Sequence, residues 1–388
     1  MEGQEDTRKT AVVLLSGGLD SATVAAWLQH QGYRVVALTV DYGQRHRVEL
    51  EAAGKVVRVL ALEEHLIMPL DLRAIGGSAL TSSLEVPKAG QASAPVAADI
   101  PVTYVPARNT IFLSLALALA EARGAHDLGI GVNALDYSGY PDCRPDFVAK
   151  FGELANLATR EGVEGRPFQL HTPLLEMSKE DILQLAFDLG VPVEDTLSCY
   201  DPSSAAEPCG LCDACRLRLA AETSWAAAHA ADAIELQRDV APTLVWPPRH
   251  RNLRAGEPFA KARYEEVDFL EDTLHYAVRV GGRVVGCATL LRETREADAS
   301  GPYAGGPAHG LRLRGMAVDP DYRGLGLGRQ LMEACQEEAR RLQTGLWCNA
   351  RVGAIPHYLA CGYQRVGEEF DMPGIGAHYV LEWRPAVN

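Results

Sequence analysis

Positive charge is scarce in this sequence: 37 Lys and Arg stand against 51 Asp and Glu, a formal net charge of −14 over 388 residues. That balance argues against a broad basic surface for tRNA or DNA, because such binding rests on neutralised phosphates, although a local patch does not show in a sum. Long apolar runs are missing too. The longest, Ile111 to Ala120, is half of the roughly 20 residues needed to span a bilayer, so no membrane partner is expected. No basic-plus-apolar leader follows Met1, which predicts a cytoplasmic protein. Thiols stay reduced in that compartment, so clustered cysteines are expected to hold metal rather than to cross-link. No internal repeat is present, and no Gly-Lys-Ser/Thr ends a phosphate loop, which excludes the P-loop of kinases and GTPases.

What is present is ordinary for a globular chain, with 47% hydrophobic and 23% charged residues, and its length predicts two domains. In the first two-thirds, strand-like segments (Thr10–Leu15, Val35–Val40, Leu128–Val132) alternate with helix-like ones (Asp20–Gln31, Gln44–Leu60, Asn109–Ala122, Lys179–Leu189). Alternation of this kind implies a parallel sheet covered on both faces, with ligands at the carboxyl ends of its strands. Ala74 to Pro101, rich in Gly, Ala, Ser and Pro, reads as a long functional loop. An alanine-rich helix over Leu217–Leu236 then gives way to a proline-rich stretch and a second α/β pattern. The pattern holds a hairpin across Gly281-Gly282, a strand over Leu311–Val318 and a helix over Gly328–Leu342. The boundary is placed at 237/238.

Ser16-Gly-Gly-Leu-Asp-Ser21 directly follows the first strand and opens a helix. Unpaired backbone N–H groups and the positive end of the helix dipole make that turn an anion site, and Ser16 and Ser21 add hydroxyls. Cys199 with Cys209-Gly-Leu-Cys212-Asp-Ala-Cys215 has the spacing of a four-thiolate zinc site, structural because no position stays open for water. Between the two lie Asp41-Tyr-Gly-Gln-Arg-His46, Tyr104-Val-Pro-Ala-Arg-Asn109 and Gly131 to Arg144. Each is expected to follow a strand, which would project all three from the same sheet edge. Asp136, Asp142 and Arg144 among Tyr137 and Tyr140 suit a flat heteroaromatic with an amidine face and a carboxylate. Asp20 and Asp41 could hold Mg²⁺.

These motifs, in order over residues 10 to 222, resemble the 7-cyano-7-deazaguanine synthases, the run Ser138-Gly-Tyr-Pro-Asp-Cys-Arg144 most specifically. The resemblance implies a Rossmann-like adenine nucleotide alpha hydrolase domain of the PP-loop type over 1–237. It would be an ATP-dependent carbon–nitrogen ligase of queuosine-precursor synthesis, turning 7-carboxy-7-deazaguanine, ammonia and ATP into the nitrile with Mg²⁺ and Zn²⁺. It implies ATP binding by Leu15, Ser16, Gly17, Gly18, Leu19, Asp20, Ser21, Ala22, Thr23, Val24 and Ala25, with Asp20 and Ser21 catalytic. Substrate would be held by Asp136, Tyr137, Tyr140, Asp142, Arg144 and Arg108, and zinc by Cys199, Cys209, Cys212 and Cys215. Cys143 reads as a loop residue, since adenylation already activates the carboxyl. No glutaminase segment is visible, so ammonia is expected to arrive free.

Arg323-Gly-Leu-Gly-Leu-Gly328 follows a strand and opens an amphipathic helix, again an anion site. With Asn349, Ala354 to Tyr358 and Gly362-Tyr363, it resembles the GNAT N-acetyltransferases across about residues 240 to 384. The resemblance implies a second α/β domain over 238–388 that binds acetyl-CoA through Met316, Val318, Arg323, Gly324, Gly326, Gly328 and Arg329. Tyr358 would protonate the departing thiolate. Glu293, Glu296, Asp319 and His378 are candidate bases, and the acceptor amine is not readable. A homodimer is compatible with the sequence. The alternative reading is a paralogue that adenylates a different carboxylate, with the second domain as a CoA-binding regulatory module.

Overall fold

The computed structural model describes residues 8–44, 48–88, 100–134, 139–203, 206–229, 233–293 and 310–385. The chain divides into two compact units, 1–229 with 258–260, and 230–257 with 261–388.

In the first unit five strands form one wholly parallel sheet in the order β3-β2-β1-β4-β5: β1 (Thr10–Leu14), β2 (Arg34–Asp41), β3 (Glu64–Pro69), β4 (Asp127–Gly129) and β5 (Gln169–His171). Parallel strands are buried on both faces, and side chains alternate between them. Val12, Leu14, Val36 and Leu38 enter one core, with α3 (Arg108–Ala122) and α4 (Pro145–Ala158). Ala11, Val13, Val35 and Ala37 enter the other, with α1 (Leu19–His30), α2 (Val48–Leu60) and α6 (Lys179–Asp188). The short α5 (Arg160–Val163) follows α4, and α7 (Asp213–Ala228) ends the unit. Because β2 and β4 flank β1 and the chain winds away on either side, the carboxyl end of β1 is the point where the strand order reverses.

The helix expected to start at Gln44 does not include that residue, whose Oε1 accepts from the Tyr42 backbone N–H at 2.9 Å; the helix is described over Val48–Leu60. The helix expected over Leu217–Leu236 ends at Ala228, and Ile234–Arg238 is a strand, β6, because it pairs antiparallel with β7 (Leu274–Val280) from Ile234↔Val280 to Arg238↔Tyr276. The boundary drawn at 237/238 therefore falls inside β6, which belongs to the second unit.

The second unit is a mixed seven-stranded sheet in the order β11-β12-β10-β9-β8-β7-β6. It comprises β8 (Arg283–Arg292), β9 (Gly310–Val318), β10 (Gly345–Arg351), β11 (Gln364–Met372) and β12 (Gly376–Trp383), with helices α8 (Pro242–Leu253), α9 (Leu327–Arg341) and α10 (Ile355–Ala360). Only β9 and β10 are parallel neighbours, and they pair over three residues, Gly310↔Gly345 to Arg312↔Trp347. Both strands continue past that point without pairing with each other. β9 carries an extra residue there, since two steps along β8 (Cys287 to Thr289) face three along β9 (Ala317 to Arg314), a bulge that bends the strand away.

The proline-rich stretch is helical: α8 carries Pro247 and Pro248 inside and buries Trp246 and Arg249. Arg249 is fully buried against an equally buried Asp268 (2.9 Å) and donates to Thr289 Oγ1 (2.7 Å) and Ala262 O (2.8 Å). Asp268 also accepts from Trp246 Nε1 (2.8 Å) and the Tyr264 backbone N–H (2.9 Å). Removing one partner strands the other charge without water. We expect Asp268→Ala to lower the unfolding free energy of the second unit by about 3–5 kcal/mol, measured by urea titration; a loss below about 1 kcal/mol would refute that account.

Candidate functional sites

At the end of β1 the chain turns through Gly17 at φ +86°, where a Cβ would lie 2.6 Å from both the Ala53 N and the Glu49 O. Only glycine fits so close to α2. Ser16 and Ser21 then close the loop on itself. The Ser16 N–H donates to Ser21 Oγ (3.1 Å), the two hydroxyls sit 3.0 Å apart, and Ser21 Oγ donates to Gly18 O (3.0 Å). The first helical N–H, that of Leu19, donates to Ser198 Oγ (3.3 Å), and Leu197 N–H to Gly17 O (2.9 Å), so a segment 180 residues on clamps the loop.

A cavity of about 230 Å³ opens on this loop. Leu15, Ser16, Gly18, Leu19, Asp20 and Ser21 line it, as do Arg108 and Tyr140 from the expected substrate set. Ala22, Thr23, Val24 and Ala25 are fully buried within α1 and serve its packing. Asp136 and Tyr137, like Arg45 and His46, lie outside the described residues. Asp142 is turned inward: its carboxylate accepts from the Asn109 N–H (3.0 Å) in the first turn of α3, and Asn109 Nδ2 donates back to Asp142 O (3.0 Å). It acts as a helix cap that pins the loop. Arg144 is exposed at the start of α4. Tyr140 is buried, its hydroxyl 2.7 Å from Thr103 Oγ1. Burial and the neighbouring Asp142 push the Cys143 thiol up to about 12, which keeps it protonated.

Two residues near this loop, Lys179 and Glu49, carry no motif signal, whereas Tyr42 comes from the Asp41–His46 stretch. Lys179, at the start of α6 and 9% exposed along its side chain, places Nζ 2.9 Å from both oxygens of Asp20. Asp20 thus meets an ammonium already in place, and a Mg²⁺ there has to compete with it. Glu49 reaches the cavity from α2; burial pushes its carboxyl up to about 7, against the pull of Arg108. Tyr42 is pushed up to about 12, chiefly by burial.

Cys199, Cys209, Cys212 and Cys215 converge, their sulfurs all within 4.8 Å of one another. Backbone N–H groups of Asp201 (3.3 Å) and Cys209 (3.2 Å) donate to Cys199 Sγ, and that of Cys212 to Cys209 Sγ (3.4 Å). Donors aimed at sulfur favour thiolates, and four sulfurs at this spacing fit tetrahedral Zn²⁺ at about 2.3 Å from each.

In the second unit Arg323, Gly324 and Gly326 form an exposed loop that leads into α9, with Gly324 and Gly326 at φ +82° and +81°. Arg323 Nε donates to Val318 O (3.0 Å), and Arg329 is exposed one turn later. Met316 and Val318 face α9 beyond the last β9–β10 rung. The Tyr358 hydroxyl lies 3.9 Å from Met316 Sδ, and His357 Nε2 would meet a Cβ at Gly328 at 3.0 Å. Strand end, glycine loop and the segment that carries the tyrosine are therefore brought close together. Burial, with Cys348 and Cys335 beside it, holds Tyr358 protonated well above the usual phenol range. Glu293 is paired with Arg312 (2.6 Å), and Asp319 with Arg251 (2.7 Å) and Asn252 (2.6 Å). The buried His378 sets Nδ1 2.6 Å from Gly376 O. Glu296 lies outside the described residues.

Residues 10–226 match the family model described as queuosine biosynthesis protein QueC, and residues 271–365 match that of the acetyltransferase (GNAT) domain. The 7-cyano-7-deazaguanine synthase of Novosphingobium aromaticivorans is 60% identical over 210 residues, 54% of this chain and 88% of that protein. That of Geobacter sp. strain M21 is 52% identical over 231 residues, 60% of this chain and 99% of that protein. Among solved structures, Escherichia coli ElaA aligns with 39% of this chain and 100% of its own at 17% identity and a TM-score of 0.31. An aminoglycoside 6'-N-acetyltransferase with coenzyme A aligns with 40% and 99% at 11% identity and a TM-score of 0.32. With more than half of its length matched by the first model, and a synthase covered almost end to end, the chain belongs to the QueC family and carries a GNAT acetyltransferase domain in its C-terminal region.

Proposed function

We propose that the first unit makes 7-cyano-7-deazaguanine from 7-carboxy-7-deazaguanine, ammonia and ATP. The observation that supports this best is the cavity at the carboxyl end of β1, which joins a glycine-turn anion site to Arg108 and Tyr140. A carboxylate is a poor electrophile, so adenylation supplies AMP as leaving group and ammonia forms the amide. A second adenylation on the amide oxygen and loss of AMP leave the nitrile. Such chemistry asks for charge stabilisation at the phosphates and a fixed grip on the heterocycle, with no protein nucleophile. Helix α1 presents its first-turn N–H groups to the phosphates, and Lys179 brings the cation that the loop's own sequence lacks. A Mg²⁺ accompanying ATP would add charge neutralisation there. Zn²⁺ on the four cysteines would tie residues 199–215 against Ser198 and the loop.

The purified chain, given 7-carboxy-7-deazaguanine, ATP, Mg²⁺ and ammonium, is expected to yield the nitrile and AMP by mass spectrometry. AMP without nitrile would favour the paralogue that uses another carboxylate. Lys179→Met is expected to cut kcat/KM for ATP by about 10²-fold or more; an unchanged value would remove Lys179 from the site. Elemental analysis should find zinc bound. Cys212→Ser should lose it and lower the melting midpoint of the first unit, and an intact midpoint without metal would mean the cluster is not structural.

For the second unit we propose acetyl transfer from acetyl-CoA to an amine. The pyrophosphate would lie on the Arg323–Gly328 loop and the pantetheine arm between the diverging β9 and β10. Tyr358, kept protonated by burial, is suited to return a proton to the thiolate. Tyr358→Phe is expected to slow acetyl transfer about 10²-fold while the acetyl-CoA Kd measured by calorimetry stays within a factor of two. An unchanged rate would assign the tyrosine to packing.

A further inference from the structure

Side chains alternate along β9 and β10, so the face each residue takes follows from the last rung of their ladder. Leu311, Leu313, Leu346, Cys348 and Ala350 enter the core with α9. Arg312 and Trp347 take the other face, where Arg312 stacks over the Trp347 ring at 4.7 Å and pairs with Glu293. One step further on that face the ladder has ended, and Arg314 and Asn349 flank the opening.

Both are left without the partner their chemistry calls for. Arg314 stacks over Tyr264 at 4.2 Å, a ring that Arg249 also covers at 3.9 Å. Arg249 has Asp268 to balance it, but no carboxylate among the described residues pairs with Arg314. Burial, then Arg312, push the Arg314 pKa down against the smaller opposing pull of Tyr264 and Glu293. Asn349 Oδ1 is buried and accepts no hydrogen bond. A buried polar atom left this way calls for an explanation, and a ligand is one of those available. Gly315 supports the arrangement: at φ +60° it places the bulge where a Cβ would lie 2.7 Å from Arg249 Nε and 3.2 Å from the Tyr264 ring. The stack that holds Arg314 thus needs glycine at that position.

We propose that Arg314 and Asn349 form the acceptor subsite of the second unit, which takes an amine bearing an anionic group, a carboxylate or a phosphate. Arg314 binds the anion while Asn349 Oδ1 accepts a hydrogen from the amine. The inference rests on the acetyltransferase reading and names its substrate class. Reach is adequate. Met316 is two residues from Arg314, about 7 Å at full extension, and its Sδ lies 3.9 Å from the Tyr358 hydroxyl. An amine a few bonds from its anion therefore meets a thioester placed beside Tyr358. The neutral amine attacks the acetyl carbon, the C–N bond forms and the C–S bond breaks. The nitrogen loses a proton to water and the CoA thiolate gains one.

The test uses the full chain with acetyl-CoA and three amines: β-alanine, 2-aminoethyl phosphate and 2-aminoethanol. At least one anionic amine should exceed 2-aminoethanol in kcat/KM by about 10-fold or more, and the better one separates carboxylate from phosphate. Arg314→Gln should lower kcat/KM for that amine by about 10- to 100-fold, the loss of a charge-assisted contact. The acetyl-CoA Kd should be unchanged, the 2-aminoethanol rate should fall by less than that of the anionic amine, and Arg314→Lys should retain part of the preference. Equal turnover of the three amines, a preference that survives Arg314→Gln, or no acetylation of either anionic amine by a chain that binds acetyl-CoA would each overturn the proposal. Failure to bind acetyl-CoA by calorimetry would bring down the acetyltransferase reading and this inference with it.

Discussion

Parallel strands share their hydrogen bonds with neighbours on both sides, and where that sharing stops the backbone must find other partners. Both units place a glycine loop at such a stop. In the first, β1 runs out between β2 and β4, and the chain turns on Gly17 into α1. In the second, β9 and β10 part after three rungs, and β9 bulges at Gly315 before the glycine loop of α9. The common device is main-chain geometry, with glycines at positive φ where the chain turns.

The two units handle buried charge differently. Asp20 lines the cavity at its own end of the pair and is 18% exposed, while its partner Lys179 is buried. Arg249 and Asp268 are closed off entirely, and every partner around them is a fixed hydrogen-bonding group of the unit itself. An ion pair of the second kind adds little net stability but penalises any alternative packing of α8 against β8 and β9.

What the sequence made legible was local. Ser16 to Ser21, the three-cysteine run and the Gly281-Gly282 hairpin each announce themselves within a few residues, because one turn or one ligand set dictates their composition. Partners supplied from afar did not show. Lys179 stands 159 residues from Asp20 and begins a helix whose N-cap signals explain its neighbours well enough. Ser198 looked like part of the cysteine segment, though its hydroxyl takes up the first N–H of α1. Asp142 sat among polar loop residues and reads as a ligand contact, but capping a helix 33 residues upstream asks for the same carboxylate. The strand at Ile234–Arg238 was hidden because its apolar–polar alternation spans only five residues beyond an alanine-rich helix, too short to stand apart without its pairing to β7.

The four clustered cysteines have one more consequence, which concerns the order of synthesis. All of them, and every strand of the first sheet, precede residue 230, where the second unit starts. Chains fold domain by domain from the N-terminus as they leave the ribosome. The thiolate set is therefore complete while some 150 residues of the second unit are still to be translated. For that interval four thiols stand together in a nascent chain. How fast a metal ion arrives during the interval, rather than how tightly the finished protein would hold one, then sets how many chains escape oxidation.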